Sequence, residues 1–436
     1  MKKNDHSNLS NFAEEAMRKT NHFNSFLGIQ PERISERIKT YESFGNHQPG
    51  SVGDDLTTAW LEHQLSEFGI NAKTESFEFP LFEYNQAQLI LNENIIDGIP
   101  MFDGGFTTNK KVIGPIIEDE TKDLSNKIFV AKTLMTGNQK WMAADAKEYF
   151  EYFSAKGALA IVIPSEDPLG EIVVRNAESI LEPFQIPVLQ IKASELKKID
   201  LKSNRVNQAE IIINGARRTS RAKNLFVDIP VDGSSRNSVL GIMTPKSGWF
   251  SCAAERGAGL AIWLAIAEAM VLWLERDSPL HLLSTSGHEL GHQGLLHHLR
   301  NVPDHSDQAM FHPADRWLHL GASIGAGKKP NGISQKVEST KARCSENKYK
   351  PLIENAMNFA GITNQDYELL DPLLPIEGEA RDIHSRSGKF ISILGRHDFF
   401  HSPSDTFKNC VDTHKISKWA VACIYISFGL SGESFY

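Results

Sequence analysis

Apolar positions along the chain fall into three regimes, and each predicts different elements. Residues 1–75 carry helical periodicity. It is mixed over 12–17 and 34–44. It is clear over 54–68, where Leu56, Ala59, Trp60, Leu65 and Phe68 share one face and Gly69 stands where a helix stops. Residues 72–81 then include a stretch, KTESFEF, that alternates polar and apolar side chains, which predicts an extended segment. Residues 86–215 replace helical spacing with short β-like runs at 87–91, 112–117, 127–131, 160–162, 187–191 and 210–213. One helix, 143–156, lies among them and ends at Gly157. The third regime starts near residue 220. A strand at 237–243 leads through the loop TPKSGWFSCAAERG to an apolar helix, followed by strands at 280–285, 317–320 and 391–394. A last helix at 414–430 carries Ile416, Trp419, Ala420, Cys423 and Ile424 at helical spacing.

This pattern predicts an α/β protein with a mixed, mostly parallel sheet flanked by helices. Residues 1–85 and 216–436 form its main domain, and 86–215 form a smaller, β-rich α/β domain inserted into it. Residues 325–350 hold seven Lys or Arg against two Glu and predict a polar surface loop.

The apolar run 258–274 has Glu268 as its only charge. It is short for a membrane span and has a charge in its middle, so it predicts a buried helix. Across 436 residues, 46 Lys plus Arg face 54 Asp plus Glu, a net charge of −8. A nucleic-acid binder needs a basic surplus, so that class is not expected. With 41% hydrophobic residues the chain has enough apolar surface to offset chain entropy, which argues against disorder. Cys252, Cys344, Cys410 and Cys423 are far apart and form no CxxC pair, which argues against a disulfide framework or a thiolate zinc site. The N-terminus has two lysines without an apolar stretch behind them, so no signal peptide is expected. These features together predict a soluble cytoplasmic protein with no membrane or nucleic-acid partner.

The sharpest local string is His288-Glu289-Leu290-Gly291-His292. It matches HExxH, in which two histidines one helical turn apart bind zinc and the Glu is the base. That chemistry requires a helix. Here the string follows a buried strand and contains Gly291, with Gly294 just behind, which predicts a strand-to-turn transition. In that reading His292 lies past the strand end and faces solvent. Glu289 is not ordinary core, because a buried carboxylate needs partners.

Taken together, FGNHQPGSVGDDLTTAWLEHQLSEFGI, AERGAGLA, GHELGHQG and the late HSPSDT resemble the zinc aminopeptidases and glutamate carboxypeptidases of metallopeptidase family twenty-eight. The resemblance runs from about residue 30 to 430, and the 86–215 insert resembles the protease-associated domain that many members carry. It implies a two-metal centre with the ions about 3.5–4 Å apart. Carried over by position, Glu255 falls on the bridging Asp, Glu289 on the Glu ligand and His401 on the late His ligand. Two carboxylates, an imidazole and water are a reasonable zinc shell.

The departures are as informative. Met243 and Pro245 stand where the family has an early His-x-Asp, and neither is a normal zinc ligand. His319 falls on the remaining Asp ligand, in a register that can slip. His288 replaces the Glu base, and an imidazole can be a base or a ligand. Arg256 either holds a substrate carboxylate or forms a structural ion pair with Glu255, and the latter competes with metal. Cys252 is either a soft ligand or a small buried residue. Asp398 or Asp405 could orient His401. His397, Asp398, His384, His297 and His298 read as surface or supporting groups.

Two functions follow. One is a zinc-dependent exopeptidase or related amidohydrolase, with one zinc rather than two, acting on peptides or amino-acid conjugates that enter between the main domain and the insert. The other is a catalytically inactive peptidase-fold protein that binds a peptide or small molecule.

Overall fold

The structure, a computed structural model, describes residues 6–19, 27–131, 146–197, 208–231, 239–273, 278–301, 314–327 and 339–432. Three helices open the chain: α1 (His6–Lys19), α2 (Pro31–Ser43) and α3 (Val52–Glu67). Pro31 begins α2, where its missing N–H costs nothing. Ser51 caps α3 by accepting from the Asp54 N–H, with Asp54 and Asp55 in the first turn. The long strand β1 (Lys73–Leu91) follows, then β2 (Asn94–Pro100), β3 (Val112–Ile117), β4 (Lys127–Val130), α4 (Ala146–Ala155), β5 (Ala158–Pro164), β6 (Val188–Ile191) and α5 (Ala193–Lys197). A second long strand, β7 (Gln208–Ile229), returns antiparallel to β1 along its length.

The remaining elements are β8 (Leu240–Pro245), α6 (Gly257–Leu272), β9 (Leu280–Thr285), α7 (Gln293–Asn301), β10 (Arg316–Leu320), β11 (Thr340–Cys344), α8 (Lys350–Phe359), β12 (Tyr367–Leu369), α9 (Ala380–Ser385), β13 (Lys389–Leu394), α10 (Phe407–Cys410) and α11 (Thr413–Ser431). The described strands join in one mixed sheet of order β1-β2-β6-β5-β4-β3-β7-β9-β8-β10-β13-β11-β12, with β1 also paired to β7. Strands β9, β8, β10 and β13 are parallel neighbours. So are β3, β4, β5 and β6. The β1–β7 ladder ties the two parallel blocks together, and its register slips between Tyr84 and Gln86.

Helix α6 is buried on every side from Gly257 to Met270 except at Glu268. That charge is answered by the buried Arg37 guanidinium of α2 at 3.1 Å. One apolar core forms where α6 and α11 pack on the sheet, with Ile38, Tyr41, Trp263, Leu264, Ile416 and Ile424 among its members. Leu89, Val162, Ile211 and Trp249 belong to a second core, beside β1, β5 and β7. No helix among the described residues is long and apolar enough to cross a membrane.

Two sequence expectations change. The buried face of α3 is Thr57, Thr58, Leu61, Gln64 and Leu65, while Leu56 and Ala59 are exposed, so the five apolar residues grouped from the sequence do not share a face. Within 325–350 the residues 328–338 lie outside the described set, but Thr340–Cys344 is not loop. It is a strand paired antiparallel with β13. Lys341 and Arg343 read as loop charges, but Arg343 is buried along with Thr340, Ala342 and Cys344, its guanidinium donating to the Leu374 and Pro375 carbonyls.

Candidate metal centre and its guanidinium

Parallel strands deliver chemistry at their carboxyl ends. Here Lys246 and Ser247 follow β8, Ser286 to Glu289 follow β9, His319 lies near the end of β10, and His401 follows β13. The loop from Lys246 to Arg256 leads into α6 and brings in Glu255. The turn after β9 is a single 3-10 turn, His288–Leu290, bracketed by Gly287 at φ +76° and Gly291 at φ +70°. Only glycine takes that backbone freely, so the string is a turn and not the helix HExxH requires. At Gly291 a Cβ would also meet the Glu178 carbonyl oxygen at 2.7 Å.

Glu255, Glu289 and His401 do converge, but Arg256 sits between the two carboxylates. Its Nη2 lies 2.8 Å from Glu289 Oε1 and 3.0 Å from Glu255 Oε1, and all three side chains are fully buried. Its Nε donates to the Ser247 carbonyl oxygen at 2.8 Å. Glu289 Oε2 accepts from Ser247 Oγ at 2.7 Å, so both oxygens of Glu289 are engaged by protein donors. The same Glu255 oxygen, Oε1, also lies 3.4 Å from His401 Nε2, and Glu255 Oε2 accepts from the His401 N–H at 3.4 Å. His401 has φ +61°, a strained conformation for a non-glycine residue.

The charges lock this arrangement. Burial alone would lower the Arg256 pKa, but Glu255 and then Glu289 outweigh it and hold the guanidinium well above its ordinary value. Burial alone would raise Glu255, but His401 and then Arg256 hold it far below the carboxylate range. Of the two readings of Arg256, the ion pair is the one seen, and it extends to Glu289.

The other sequence candidates fall into place around this cluster. Met243 is buried in an apolar cluster with Leu283 and Trp317, beside His319 on the neighbouring strand, and offers no ordinary zinc ligand. Past Pro245 the chain presents Lys246, whose ammonium is buried against the Asp54 carboxylate. His319 donates or accepts through Nδ1 at Ser392 Oγ, 2.8 Å away, and its Nε2 lies 4.0 Å from Glu379 Oε2. His288 Nδ1 lies 3.9 Å from the same oxygen. Burial and then the Arg256 charge push His288 well below the ordinary imidazole range, and burial pushes His319 down to about 4. His292 does not face solvent. It is 3% exposed and its Nδ1 meets Asp382 Oδ2 at 2.5 Å, while its ring packs on His288 at 4.7 Å. Its Nδ1 is taken by Asp382, and because His288 and His292 stand on a glycine-bracketed turn they are not the helical pair of a zincin.

His401 is oriented by neither Asp398 nor Asp405. Its Nδ1 donates to the Val174 carbonyl oxygen at 3.0 Å, and its own carbonyl accepts from the Val174 N–H at 2.9 Å. Asp405 instead accepts from the Ala254 and Glu255 N–H groups, each at 2.9 Å, and fixes the ligand loop. Cys252 is buried at φ +46°, and burial, then Glu255, hold its thiol well above the ordinary value. His298 is not a surface group either: it bonds His281 and Glu75 in the interior. His397 is buried near Asp405, His384 is exposed and His297 is half-buried.

Segment 167–180 covers the site. Ala177 N–H donates to the Glu289 carbonyl oxygen at 2.8 Å, Trp249 Nε1 to Asn176 at 3.3 Å, and Ser402 Oγ to Asp167. Sequence reasoning missed this cover, Glu379, and the Lys246–Asp54 pair. All three rest on partners far apart in sequence, and none has a local signal.

The residues do not fit the zinc centre that the resemblance implies. The position between Glu255 and Glu289 holds a guanidinium, and one of the would-be ligands has no free oxygen. Among the described residues, the groups whose donor atoms all lie within 4.8 Å of one another are His397, Asp405 and Cys410, and Cys252, Glu255 and Asp405. Glu255, Glu289 and His401 are not such a group.

No family model matches the chain, and no curated protein does. Solved structures do. The zinc aminopeptidase BSAP of Bacillus subtilis superposes with a TM-score of 0.72 at 13% identity, over 91% of this chain and 94% of that one. A family-twenty-eight peptidase precursor of Shewanella amazonensis gives 0.71 at 16%, over 99% and 98%. An aminopeptidase of an Aneurinibacillus species gives 0.65 at 14%, over 91% and 93%. At such identities the likeness carries architecture, and on that ground this chain has the fold of the zinc aminopeptidases of metallopeptidase family twenty-eight.

Proposed function

We propose that this chain is a peptidase-fold protein that binds a peptide or small molecule without metal-dependent hydrolysis. The observation that carries the reading is Arg256, fully buried, with its Nη2 at 2.8 and 3.0 Å from the two carboxylates that would otherwise hold a metal. A cation already neutralises them, and a metal would have to displace a guanidinium that has no water to go to. Two further observations support it. Met243 and Pro245 offer nothing to a second ion, and segment 167–180 closes over the residues a scissile bond would have to reach.

Binding is assigned to the cleft of about 820 Å³ beside this cover, lined by Phe82, Tyr84, Phe102, Asn109, Arg218 and Trp249. An aromatic wall with a few polar groups suits a peptide or a small amphipathic molecule. In this proposal 86–215 remains a protease-associated-like insert, and four buried free cysteines suit a reducing cytoplasm.

A single-zinc hydrolase is the second reading, favoured by one observation: His401 Nε2 is buried without a hydrogen-bond partner and faces Glu255 Oε1 at 3.4 Å. The test is turnover of a panel of aminoacyl-anilides and dipeptides with added zinc. The proposal expects none above buffer. Turnover that a chelator removes, and that Glu289→Ala or His401→Ala abolishes, would overturn it.

A further inference from the structure

We infer that Asp228, His281, His298 and Glu75 form a buried proton-binding site that clamps α7 to the sheet, closed by one proton held between the two imidazole rings. The inference goes beyond the proposed function and stands whether or not the chain hydrolyses anything.

Asp228 lies on β7, His281 on β9, His298 on α7 and Glu75 on β1. His281 Nδ1 lies 2.8 Å from Asp228 Oδ1, the two Nε2 atoms are 3.0 Å apart, and His298 Nδ1 lies 2.5 Å from Glu75 Oε1. Both rings are buried, while Asp228 is 56% exposed and gives protons a way in. An ionised carboxylate only accepts, so each Nδ1 donates, and a neutral imidazole has no second N–H to give. Two neutral rings would turn two bare lone pairs on each other, and two imidazolium rings would turn two N–H groups on each other. The Nε2 contact is a hydrogen bond only when the pair carries one proton more than two neutral rings. Moving a proton onto a carboxylate leaves that count unchanged, because three bonds still need three protons.

The surrounding charges support that count. The bond from His281 holds the Asp228 carboxyl below its usual range. At Glu75 burial pushes upward, and the bond from His298 outweighs it. Burial lowers His281 and Asp228 opposes it, so the proton belongs to the coupled pair and its two carboxylates rather than to that ring alone. Lys73 of β1 faces Asp228 and His297 of α7 faces Glu75, while the Phe226 and Trp317 rings pack beside the two imidazoles. Among the described residues, His281 and His298 belong to no group of three donors within 4.8 Å of one another, so their nitrogens do not make a metal shell. The clamp also reaches the turn that presents Glu289. Asn224 Nδ2 donates to Glu75 Oε1 at 2.9 Å and to the Gly294 carbonyl at 2.8 Å, and its Oδ1 accepts from the Ser286 N–H at 3.0 Å.

The experiment uses the full-length chain, isotopically labelled at the histidine nitrogens, as wild type, His281→Gln and His298→Gln; a glutamine amide does not titrate. Unfolded histidines titrate near 6.5, so above that pH folding takes up the proton, and the clamp weakens as the pH rises and the proton leaves. At about pH 8 the inference expects a nitrogen–nitrogen scalar coupling between two imidazole rings, which only a hydrogen bond transmits, and none in either variant. When the pH is raised until the coupling disappears, amide exchange in α7 should speed by about tenfold relative to α11, a step missing from the variants. No coupling in the wild type would overturn the inference, and that result needs no variant to fold. So would α7 exchange that ignores the loss of the coupling, or that speeds equally in a folded variant.

Discussion

Lys246→Met is the substitution whose outcome the structure fixes most fully. Lys246 follows β8, at the strand end where a metal centre would need a ligand. Its side chain is fully buried and Asp54 is 2% exposed. The ammonium donates to Asp54 Oδ1 and, at 3.2 Å, to the Asp54 carbonyl oxygen. Asp54 Oδ2 accepts from the Gly50 N–H at 2.9 Å and from Ser286 Oγ at 2.8 Å. The pair thus ties the start of α3 to the ends of β8 and β9. Methionine fills similar space, so the cavity term is small and the loss is electrostatic.

Removing one partner of a buried pair costs about 3–5 kcal/mol. Because Asp54 keeps two donors, the expected loss for Lys246→Met is at the lower end, about 3 kcal/mol. Asp54→Asn strands the ammonium and costs a similar amount. The double variant removes both charges, and its loss should be less than half of the two single losses added together. Urea unfolding followed by tryptophan fluorescence measures all four proteins. Additive losses, or a Lys246→Met loss below about 1 kcal/mol, would refute the claim that this strand end is held by a structural ion pair.

Other outcomes follow from the same geometry. Burial holds His319 down to about 4, whereas an unfolded imidazole titrates near 6.5. The unfolded chain therefore binds a proton that the folded chain refuses, and stability present above pH 6.5 falls as the pH drops toward 4. At about 1.4 kcal/mol per pH unit, this group accounts for about 2 kcal/mol between pH 6.5 and 5. His319→Gln should flatten that slope in thermal melts, and an unchanged slope would contradict the burial argument. Asp167 accepts from the Leu169 and Glu171 N–H groups and from Ser402 Oγ. Asp167→Ala should loosen the cover, with amide exchange at Val174 and Ala177 faster by about tenfold, the equivalent of roughly 1–1.5 kcal/mol. Unchanged exchange would mean that the cover is held elsewhere.

Much of the architecture was legible because it rests on local pattern. The buried strand LHLLST, the apolar helix after AERG with its single charge and the glycines of GHELGHQG each state their own geometry within a few residues. Glu255, Glu289 and His401 could be placed near one another only through the resemblance. Arg256 was visible as a competitor because it adjoins Glu255 in sequence; that it also grips Glu289, 33 residues on, was not. Lys246 and Asp54 are 192 residues apart, and Val174 and His401 are 227 apart. Such pairs leave no periodicity and no motif. Met243 illustrates the limit of positional carry-over: it is registered beside His319 yet sits in an apolar cluster, and the next polar side chain that matters is three residues on.

The measurement that bears most directly on the central claim is zinc per chain in the purified wild-type protein, after dialysis and again after incubation with excess zinc and desalting. With Arg256 seated between Glu255 and Glu289, the account predicts no stoichiometric zinc in either preparation. One or two zinc ions per chain, lost on Glu289→Ala or His401→Ala, would contradict it and restore the hydrolase.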